Sequence, residues 1–366
     1  MKRSFGIDFI RTVAITLVVF RHYGFYTGFN YGMIAIEFLF VISGFLIGQI
    51  LFNDLFSTTE IESSSLKRFM IRRWFRILPL YYFCLFARFI ISPSIGFNIL
   101  YYVFFLQNHF YGIQFYPETW TLTIDEWFYL GVPVILFAFI RFISSRPLHI
   151  VSFICLMIMT INLLRYYWVL HTDVHWDGLN GNVPLRQDTL LIGVLLAFAK
   201  IKYKKIFEKF NSLPVFLFTA SLLIAYIALI RYIRYPEDHV NDHLWTRTIA
   251  FILTSFLIML TLPYFENSFP SFKNRWLKPC NSLIIWGSKL SYALYLVHNE
   301  VQILLLKPIA STGIQWLPIR LILIAITIFI SFILYKIIEK PMLIIRDKYY
   351  PDRVHYSENT INATKS

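Results

Sequence analysis

The sequence predicts an all-α integral membrane protein of about ten transmembrane helices, and three observations support this prediction. Hydrophobic residues make up 57% of the 366 residues and charged residues only 15%, whereas about a quarter of a typical soluble domain is charged. Apolar runs of roughly the 20 residues that one membrane crossing needs recur along the chain. Lysine and arginine gather in alternate connections between these runs, which is typical of multi-pass membrane proteins.

The apolar runs define ten candidate spans and one shorter segment. The spans are 7–24, 33–53, 77–92, 123–142, 149–170, 186–200, 214–231, 246–263, 290–306 and 318–338. The stretch 97–107 is about half as long as a crossing, so we expect a re-entrant or interfacial segment there. The first span contains Asp8, Arg11 and His22 and has no small-residue cleavage site. We therefore expect it to remain as the first helix and not to be a signal peptide.

The basic residues predict an orientation for these spans. With the N-terminus in the cytoplasm, the cytoplasmic connections hold these basic residues: Lys67, Arg68, Arg72 and Arg73; Arg141 and Arg146; Lys200, Lys202, Lys204, Lys205 and Lys209; Lys273, Arg275, Lys278 and Lys289; and those from Lys340 to Lys365. The opposite connections 25–32, 107–122 and 171–185 contain none, and the exceptions are Arg231, Arg234 and Lys307. A full crossing at 97–107 would reverse this bias for every later connection.

This bias and the composition set the expected location and partners. We expect a multi-pass protein of the inner (plasma) membrane with both termini in the cytoplasm, a membrane domain over residues 1–342 and a cytoplasmic tail over 343–366. The net charge of +13 therefore indicates topology and not a nucleic-acid partner. The cysteines, Cys84, Cys155 and Cys280, are far apart, and no spacing indicates a metal site.

Ionisable residues within the spans indicate a functional site, because a charge in the hydrocarbon region costs several kcal/mol and usually faces a cavity. His22 falls near the outer end of the first span, at nearly the depth of Asp125 and Glu126 in the fourth. Imidazole suits general-base catalysis near neutral pH, and a carboxylate such as Glu126 would orient it. The alternative is that His22 lies at the lipid–water interface without a chemical role. Other polar residues at similar depth are Glu37, Arg165, Arg186, Asp188, His298, Asn299 and Glu300.

A second cluster is basic and lies at the start of the third span. It consists of Lys67, Arg68, Arg72, Arg73 and Arg76. Guanidinium groups bind phosphates through paired donors, so the cluster would suit the phosphates of a donor such as coenzyme A. The alternative is that these residues anchor lipid headgroups and set the topology.

Seven short motifs follow one another along the chain. They are IDFIRTVAITLVVFRH (7–22), EFLFVISGFLIG (37–48), RRWFRILPLYY (72–82), TWTLTIDEWFYL (119–130), LRQDTLLIGVLLA (185–197), LSYALYLVH (290–298) and IEKP (338–341). In this order they resemble the acyltransferase-3 family of membrane acyltransferases over roughly residues 5–342. The chain departs from the family pattern at Thr12, where a small residue is common, and at Arg21 beside His22.

The resemblance implies a catalytic histidine at His22, acting with Arg11 and Glu126, and a basic motif at Arg73 and Arg76. It also implies an acyl-CoA donor on the cytoplasmic side, with acetyl-CoA as the expected donor. The expected acceptor is a hydroxyl of an extracytoplasmic sugar in an O-antigen, an exopolysaccharide or a related glycan. Larger relatives carry a fused extracytoplasmic domain, and we expect this chain to belong to the stand-alone class.

These expectations combine into one hypothesis about mechanism. The residues expected to bind the donor phosphates are Arg72, Arg73, Arg76 and Lys67. His22, oriented by Glu126, would either deprotonate the sugar hydroxyl or accept the acyl group first, and no metal is needed. The residues expected on the acceptor side are Arg186, Asp188, His298 and Asp125.

The competing hypothesis is a transporter of glycans or small molecules, whose buried charges would line a transport path. Such proteins often contain two related halves, and this sequence shows no internal repeat. A membrane scaffold without catalytic activity is a further alternative. Binding of acyl-CoA to the purified protein would separate the enzyme from both.

Overall fold

The structure is a computed structural model that describes residues 4–25, 31–56, 63–109, 115–234, 243–310 and 316–351. Within these ranges the chain is almost entirely helical and forms no β-strand. The α-helices are α1 (Phe5–His22), α2 (Tyr31–Phe56), α3 (Ser63–Ile91), α4 (Ile99–Val103), α5 (Trp120–Ala138), α6 (Pro147–His171), α7 (Trp176–Asn180), α8 (Gln187–Lys202), α9 (Lys204–Lys209), α10 (Leu213–Arg234), α11 (Leu244–Arg247), α12 (Ile249–Asn267), α13 (Lys278–Ala310), α14 (Trp316–Leu334) and α15 (Lys340–Tyr349).

Seven helical segments of the described chain are long and apolar enough to cross a membrane. They are Tyr31–Asn53, Leu66–Ile91, Pro117–Ile143, Pro147–His171, Leu213–Tyr232, Ile249–Asn267 and Trp316–Tyr349. The other three predicted spans fall in α1, α8 and α13, which are helical. Of these, α8 has only 16 residues, and α1 and α13 carry ionisable side chains. The all-α membrane fold is confirmed, and the number of about ten crossings stays a prediction.

The segment predicted to be re-entrant or interfacial is not a full crossing. Residues Pro93–Asn98 form short 3₁₀ turns interrupted by a kink at Gly96, α4 has only five residues, and Gln107–His109 form another 3₁₀ turn. The segment packs on α3, where the Tyr81 hydroxyl donates to the carbonyl of Tyr102 at 2.8 Å. A piece this short cannot span roughly 30 Å of hydrocarbon.

Glycines bring α2 and α8 into close contact. A Cβ atom on Gly44 would lie 2.0 Å from the carbonyl oxygen of Leu190, and one on Gly193 would lie 2.2 Å from that of Val41. Any side chain at either position would therefore push the helices apart. Small residues at such crossings let backbones meet within lipid, where dispersion replaces the hydrophobic effect between helices.

Hydrogen bonds hold α1 against α13. Near the middle of α1 the Thr12 hydroxyl donates to the carbonyl of Ile284 at 2.7 Å. At its C-terminal end the fully buried Tyr23 donates to the carbonyl of His298 at 2.8 Å. Tyr23 also shares a hydrogen bond of 2.6 Å with Thr327 of α14. These bonds fix how far α1 can slide along α13.

The helical bundle continues beyond residue 342, where the membrane domain is predicted to end. That boundary falls inside α15, which packs against α3. Arg72 of α3 forms a salt bridge of 3.2 Å with Asp347 of α15. The first part of the predicted tail is therefore part of the bundle, and residues 352–366 lie outside the described residues.

Candidate active site

One cavity within the bundle is lined by arginines. It has a volume of about 300 Å³ and lies between α1, α2, α3, α5, α13 and α15. Six arginines line it: Arg11, Arg68, Arg72, Arg73, Arg76 and Arg346. Asp125 is the single carboxylate among its described lining residues. We refer to this space as the arginine cavity.

The arginines of this cavity repel one another. Arg76 is subject to the positive charges of Arg11, Arg73 and Arg346, and the buried carboxylate of Glu339 offsets them only in part. In the described ranges, neither Arg73 nor Arg76 forms a salt bridge with a carboxylate. Like charges this close in a medium of low dielectric constant destabilise the empty site. An anion bound in the cavity would relieve that repulsion.

Arg73 is held in place by an aromatic ring. Its guanidinium carbon lies 3.7 Å from the centre of the Tyr129 ring, in a cation–π contact. Its buried Nε atom has no hydrogen-bond partner among the described residues. An unsatisfied buried donor is costly, and a ligand oxygen would satisfy it. The arginine cavity is therefore suited to an anion with several oxygens, such as a phosphate.

A second cavity, of about 710 Å³, has His22 in its wall. The exposed ring of His22 is the last side chain of α1. The remaining lining residues are Val18, Arg21, Gly32, Met33, Ile36, Trp120, Asn299, Gln302, Ile303 and Leu306. We refer to this space as the histidine cavity. Its wall includes the indole of Trp120, the amides of Asn299 and Gln302, the guanidinium of Arg21 and several apolar side chains.

The two cavities adjoin end to end. Ile36 of α2 lines both of them. On α5, Thr121 faces the arginine cavity and Trp120 faces the histidine cavity. On α13, Tyr295 lines the arginine cavity and Asn299, about one helical turn further on, lines the histidine cavity. The two cavities are therefore neighbours in the bundle, with the hydrogen-bonded side chains of Thr121 and Tyr295 near their junction.

His22 is paired with a second histidine. The rings of His22 and His298 lie edge to face, with centroids 4.8 Å apart and planes at 78°. His298 is fully buried on α13 and is not among the residues that line the histidine cavity. Its Nδ1 lies 2.8 Å from the carbonyl oxygen of Tyr295 and 3.2 Å from that of Leu294.

The predicted pairing of His22 with Glu126 is not observed. Glu126 is buried, and the charged groups acting on it are Arg73 and Asp125. Asp125 lines the arginine cavity and not the acceptor side. The depth expected from the sequence assumed a span starting at residue 123, but α5 starts at Trp120, which already faces the histidine cavity. Six further residues place Glu126 about 9 Å deeper.

Arg186 and Asp188 lie in a separate buried network. Arg186 pairs with Glu37, and Arg165 pairs with Asp188 at 2.7 Å. Further hydrogen bonds come from Thr189 to Glu37 at 3.3 Å and from Asn162 to Asp188 at 3.3 Å. Neither Arg186 nor Asp188 is among the residues lining the two cavities. We refer to these four charges as the ion-pair network.

Most of the basic residues predicted from the sequence line the arginine cavity, and one further arginine that lines it was not predicted. Arg72, Arg73 and Arg76, which we expect to bind the donor phosphates, line the arginine cavity, whereas Lys67 is exposed and outside its lining. Arg11, predicted to act with His22 and Glu126, also lines the arginine cavity and not the histidine cavity. Sequence reasoning missed Arg346, which carries no motif and reaches the cavity only because α15 folds against α3. Neither the length of α15 nor its basic residues indicated that this helix packs against α3. In the described ranges, no three His, Cys, Asp or Glu side chains are close enough together to hold a metal ion.

The fold and the site together define a membrane protein in which a polybasic cavity lies next to a cavity lined by His22, inside a helical bundle. Comparison with known proteins gives the family. The model of an acyltransferase domain, that of the acyltransferase-3 family, matches residues 4–336. The chain therefore belongs to this family, and the resemblance seen in its motifs is confirmed.

Curated relatives have consistent names. The chain is 28% identical over 372 residues to "O-acetyltransferase OatA" of Staphylococcus aureus strain NCTC 8325 / PS 47, covering 92% of this chain and 57% of the relative. It is 26% identical over 366 residues to "Putative O-acetyltransferase SAS0844" of Staphylococcus aureus strain MSSA476, covering 93% of this chain and 57% of the relative. The chain thus spans 57% of the length of these relatives. No solved structure is significantly similar to it.

Proposed function

We propose that this chain is a membrane O-acyltransferase that moves an acetyl group from cytoplasmic acetyl-CoA to a hydroxyl of an extracytoplasmic sugar. One observation carries this proposal: an arginine-lined cavity and a cavity containing His22 meet end to end inside a membrane-embedded bundle. The names of the relatives support O-acetyl transfer as the reaction. The family supports acyl transfer in general.

The arginine cavity suits the phosphates of the donor. Arg73 and Arg76 project into it from α3, and Arg11 projects from α1. Guanidinium groups bind phosphate oxygens through paired, charge-assisted hydrogen bonds. The unpartnered Nε of Arg73 and the mutual repulsion of these arginines both favour a polyanion there. The thin pantetheine arm of coenzyme A would then extend past Thr121 and Tyr295, whose hydroxyls share a hydrogen bond of 2.7 Å, towards His22.

His22 acts as the general base in this proposal. One ring nitrogen removes the proton of the acceptor hydroxyl while the oxygen attacks the thioester carbonyl. The carbon–oxygen ester bond forms, the carbon–sulfur bond breaks, and the proton passes from His22 to the departing thiolate of coenzyme A. The products are the acetylated sugar and free coenzyme A. Transfer through an acetylated His22 would give the same products in two steps.

The histidine cavity suits a sugar acceptor. Trp120 offers an aromatic face for a sugar ring, and the amides of Asn299 and Gln302 offer donors and acceptors for hydroxyls. The apolar side chains of Ile303 and Leu306 lie beside them. In this arrangement Arg186, Asp188 and His298 do not touch the acceptor, because their side chains are buried outside the cavity lining.

The distribution of basic residues supports the orientation. The arginine cavity includes Arg68 and Arg72 at the start of α3 and Arg346 of α15, which belong to the basic groups that we expect in the cytoplasm. The histidine cavity lies at the other end, beside the connections that lack lysine and arginine. The proposal therefore places both termini in the cytoplasm, in the inner membrane, with the acceptor reached from outside.

The test is a histidine substitution with a matched control. His22→Ala is expected to lower transfer of radiolabelled acetyl groups from acetyl-CoA to cell-surface glycan by roughly 10²–10⁴-fold, the usual contribution of a general base. His171→Ala is the control, because His171 is also the exposed last residue of its helix, α6. Equal transfer by wild type and a correctly inserted His22→Ala variant would contradict the assignment.

A binding measurement separates the enzyme from a transporter. The purified chain is expected to bind acetyl-CoA, and His22→Ala is expected to bind it equally well, because the phosphates lie in the other cavity. A purified, folded protein that transports sugar but does not bind acetyl-CoA would overturn the proposal.

A further inference from the structure

The hydrogen bonds of His298 determine its tautomer. Its Nδ1 lies within hydrogen-bonding distance of two carbonyl oxygens, those of Tyr295 and Leu294. A carbonyl oxygen can only accept, so Nδ1 must carry the proton. In a neutral imidazole, Nε2 is then a lone-pair acceptor. The structure therefore presents a buried imidazole with a defined acceptor atom.

That acceptor atom has no partner among the described residues. The Nε2 of His298 is buried and makes no hydrogen bond, although buried polar atoms are nearly always paired. The group beside it is the ring of His22, edge to face at a centroid separation of 4.8 Å. A rotation of the exposed His22 ring about its side-chain bonds brings an N–H towards Nε2.

The backbone around the pair is fixed on both sides. Tyr23, next to His22, donates to the carbonyl of His298 at 2.8 Å. Tyr116 donates to the carbonyl of Leu296 at 2.6 Å. The Tyr295 hydroxyl donates to the carbonyl of Glu118 at 2.7 Å. These bonds hold the end of α1 and the middle of α13 in one register, so the backbone at His22 stays beside the backbone at His298 while the exposed His22 ring can still rotate.

Few other ionisable groups face the pair. Arg21 of α1 is the charged group acting on the His22 ring, and the Tyr295 ring lies 5.8 Å from that of His298. In the described part of the chain, neither imidazole ring bonds to a carboxylate. Glu126, the carboxylate expected from the sequence to orient His22, interacts with Arg73 instead. The orienting role is therefore open to His298.

We propose that His298 is a positioning residue for His22, with Nε2 of His298 accepting a hydrogen bond from the ring N–H of His22. This contact fixes the tautomer of His22, so that its other nitrogen faces the acceptor hydroxyl. It also stabilises the positive charge that His22 gains on removing the hydroxyl proton. The inference rests on the proposed function, because it assigns a partner to the proposed base.

Two substitutions of similar polarity test the position of the acceptor atom. In His298→Gln the side-chain oxygen can occupy the place of Nε2, whereas in His298→Asn the side chain ends near the place of Nδ1 and lacks that acceptor. Membrane vesicles containing the full chain and the cell's own glycan are supplied with radiolabelled acetyl-CoA. We expect His298→Gln to transfer acetyl at least about tenfold faster than His298→Asn, the effect of one charge-assisted hydrogen bond.

Three further readouts separate positioning from simple structural support. The KM for acetyl-CoA is expected to stay unchanged in both variants while kcat falls. The dependence of kcat on pH is also expected to change. In His298→Asn the pH at which kcat falls to half on the acid side should be lower than in wild type, because the protonated form of His22 is no longer stabilised. Adding His298→Asn to His22→Ala is expected to cause no further loss, because the two residues act as one unit.

The outcomes are distinguishable. Equal rates for the Gln and Asn variants, with His22→Ala inactive, would overturn the role of His298 and leave the proposed function standing. Independent, multiplicative losses in the double variant would also overturn it. Full activity of His22→Ala would instead remove the proposed function itself.

Discussion

Buried arginines occur in two regions of this bundle, and their surroundings differ. In the ion-pair network, Arg165 and Arg186 each contact a carboxylate and are fully buried. In the arginine cavity, Arg73 and Arg76 lie near other arginines and near the carboxylates of Asp125, Glu126 and Glu339, but form no salt bridge within the described ranges. The network joins α2, α6 and α8, and each of its arginines contacts a carboxylate, although the Nε of Arg186, like that of Arg73, has no hydrogen-bond partner among the described residues. The lining of the cavity has six arginines and one carboxylate, and this excess of positive charge suits an anion.

The comparison shows that a buried charge does not by itself identify a functional site. The sequence places Arg186 and Arg73 alike within motifs, and both are costly in a membrane. What separates them is a direct salt bridge to a carboxylate, which Arg186 has and Arg73 lacks within the described ranges. Breaking such a buried pair is costly, whereas an excess of arginines in one cavity favours the binding of an anion. Three predictions test this distinction, from the largest expected effect to the smallest.

Breaking an ion pair in the network is expected to have the largest effect on stability. Arg165→Leu leaves the carboxylate of Asp188 buried without its 2.7 Å partner, which costs about 3–5 kcal/mol in comparable buried pairs. Thermal unfolding of the purified protein in detergent should reveal this loss. The double variant Arg165→Leu/Asp188→Leu should recover much of it. Unchanged unfolding of the single variant would show that the network does not support the fold.

Removing an arginine from the cavity is expected to affect binding and not stability. Arg73→Ala should weaken acetyl-CoA binding by roughly 10–100-fold, since hydrogen bonds to charged groups contribute about 1.5–3 kcal/mol. Its thermal stability should change little, because the repulsion that is removed offsets the loss of the Tyr129 contact and of the attraction to Asp125 and Glu126. The control is Arg141→Ala, an exposed arginine outside the cavity lining. Unfolding of Arg73→Ala without loss of affinity in the folded fraction would contradict the distinction.

Arg346 should show a smaller effect of the same kind. Its side chain pairs with Asp347, whose side chain is 55% exposed, so the charge of Arg346 is partly neutralised at the edge of the cavity. Arg346→Ala is expected to weaken acetyl-CoA binding roughly threefold at low salt, in the range of about 0.2–1 kcal/mol for exposed ion pairs. The difference should shrink as salt is raised. Titration at two ionic strengths measures it, and an effect that does not depend on salt would exclude a screened electrostatic role.

The arginine cluster and the histidine pair differ in how far local sequence predicts them. Arg72, Arg73 and Arg76 lie within two turns of α3, so their clustering follows from helical geometry alone. The partner of His22 lies on α13, at the other end of the chain. Whether Glu126 or His298 lies beside His22 depends on the residue at which α5 starts and on the register between α1 and α13. An error of a few residues in one helix start moves a side chain by several ångströms.

The sequence by itself determined the membrane class, the helical fold, the family and most of the arginine cluster. It could do so because hydrophobicity over about 20 residues and the spacing of charges along one helix are local properties. The tertiary structure decided which charges neutralise one another, that Arg346 reaches the arginine cavity, and that His22 faces His298. These depend on the depth and rotation of helices packed against each other, which contacts such as that of Gly44 with Leu190 set over long sequence distances.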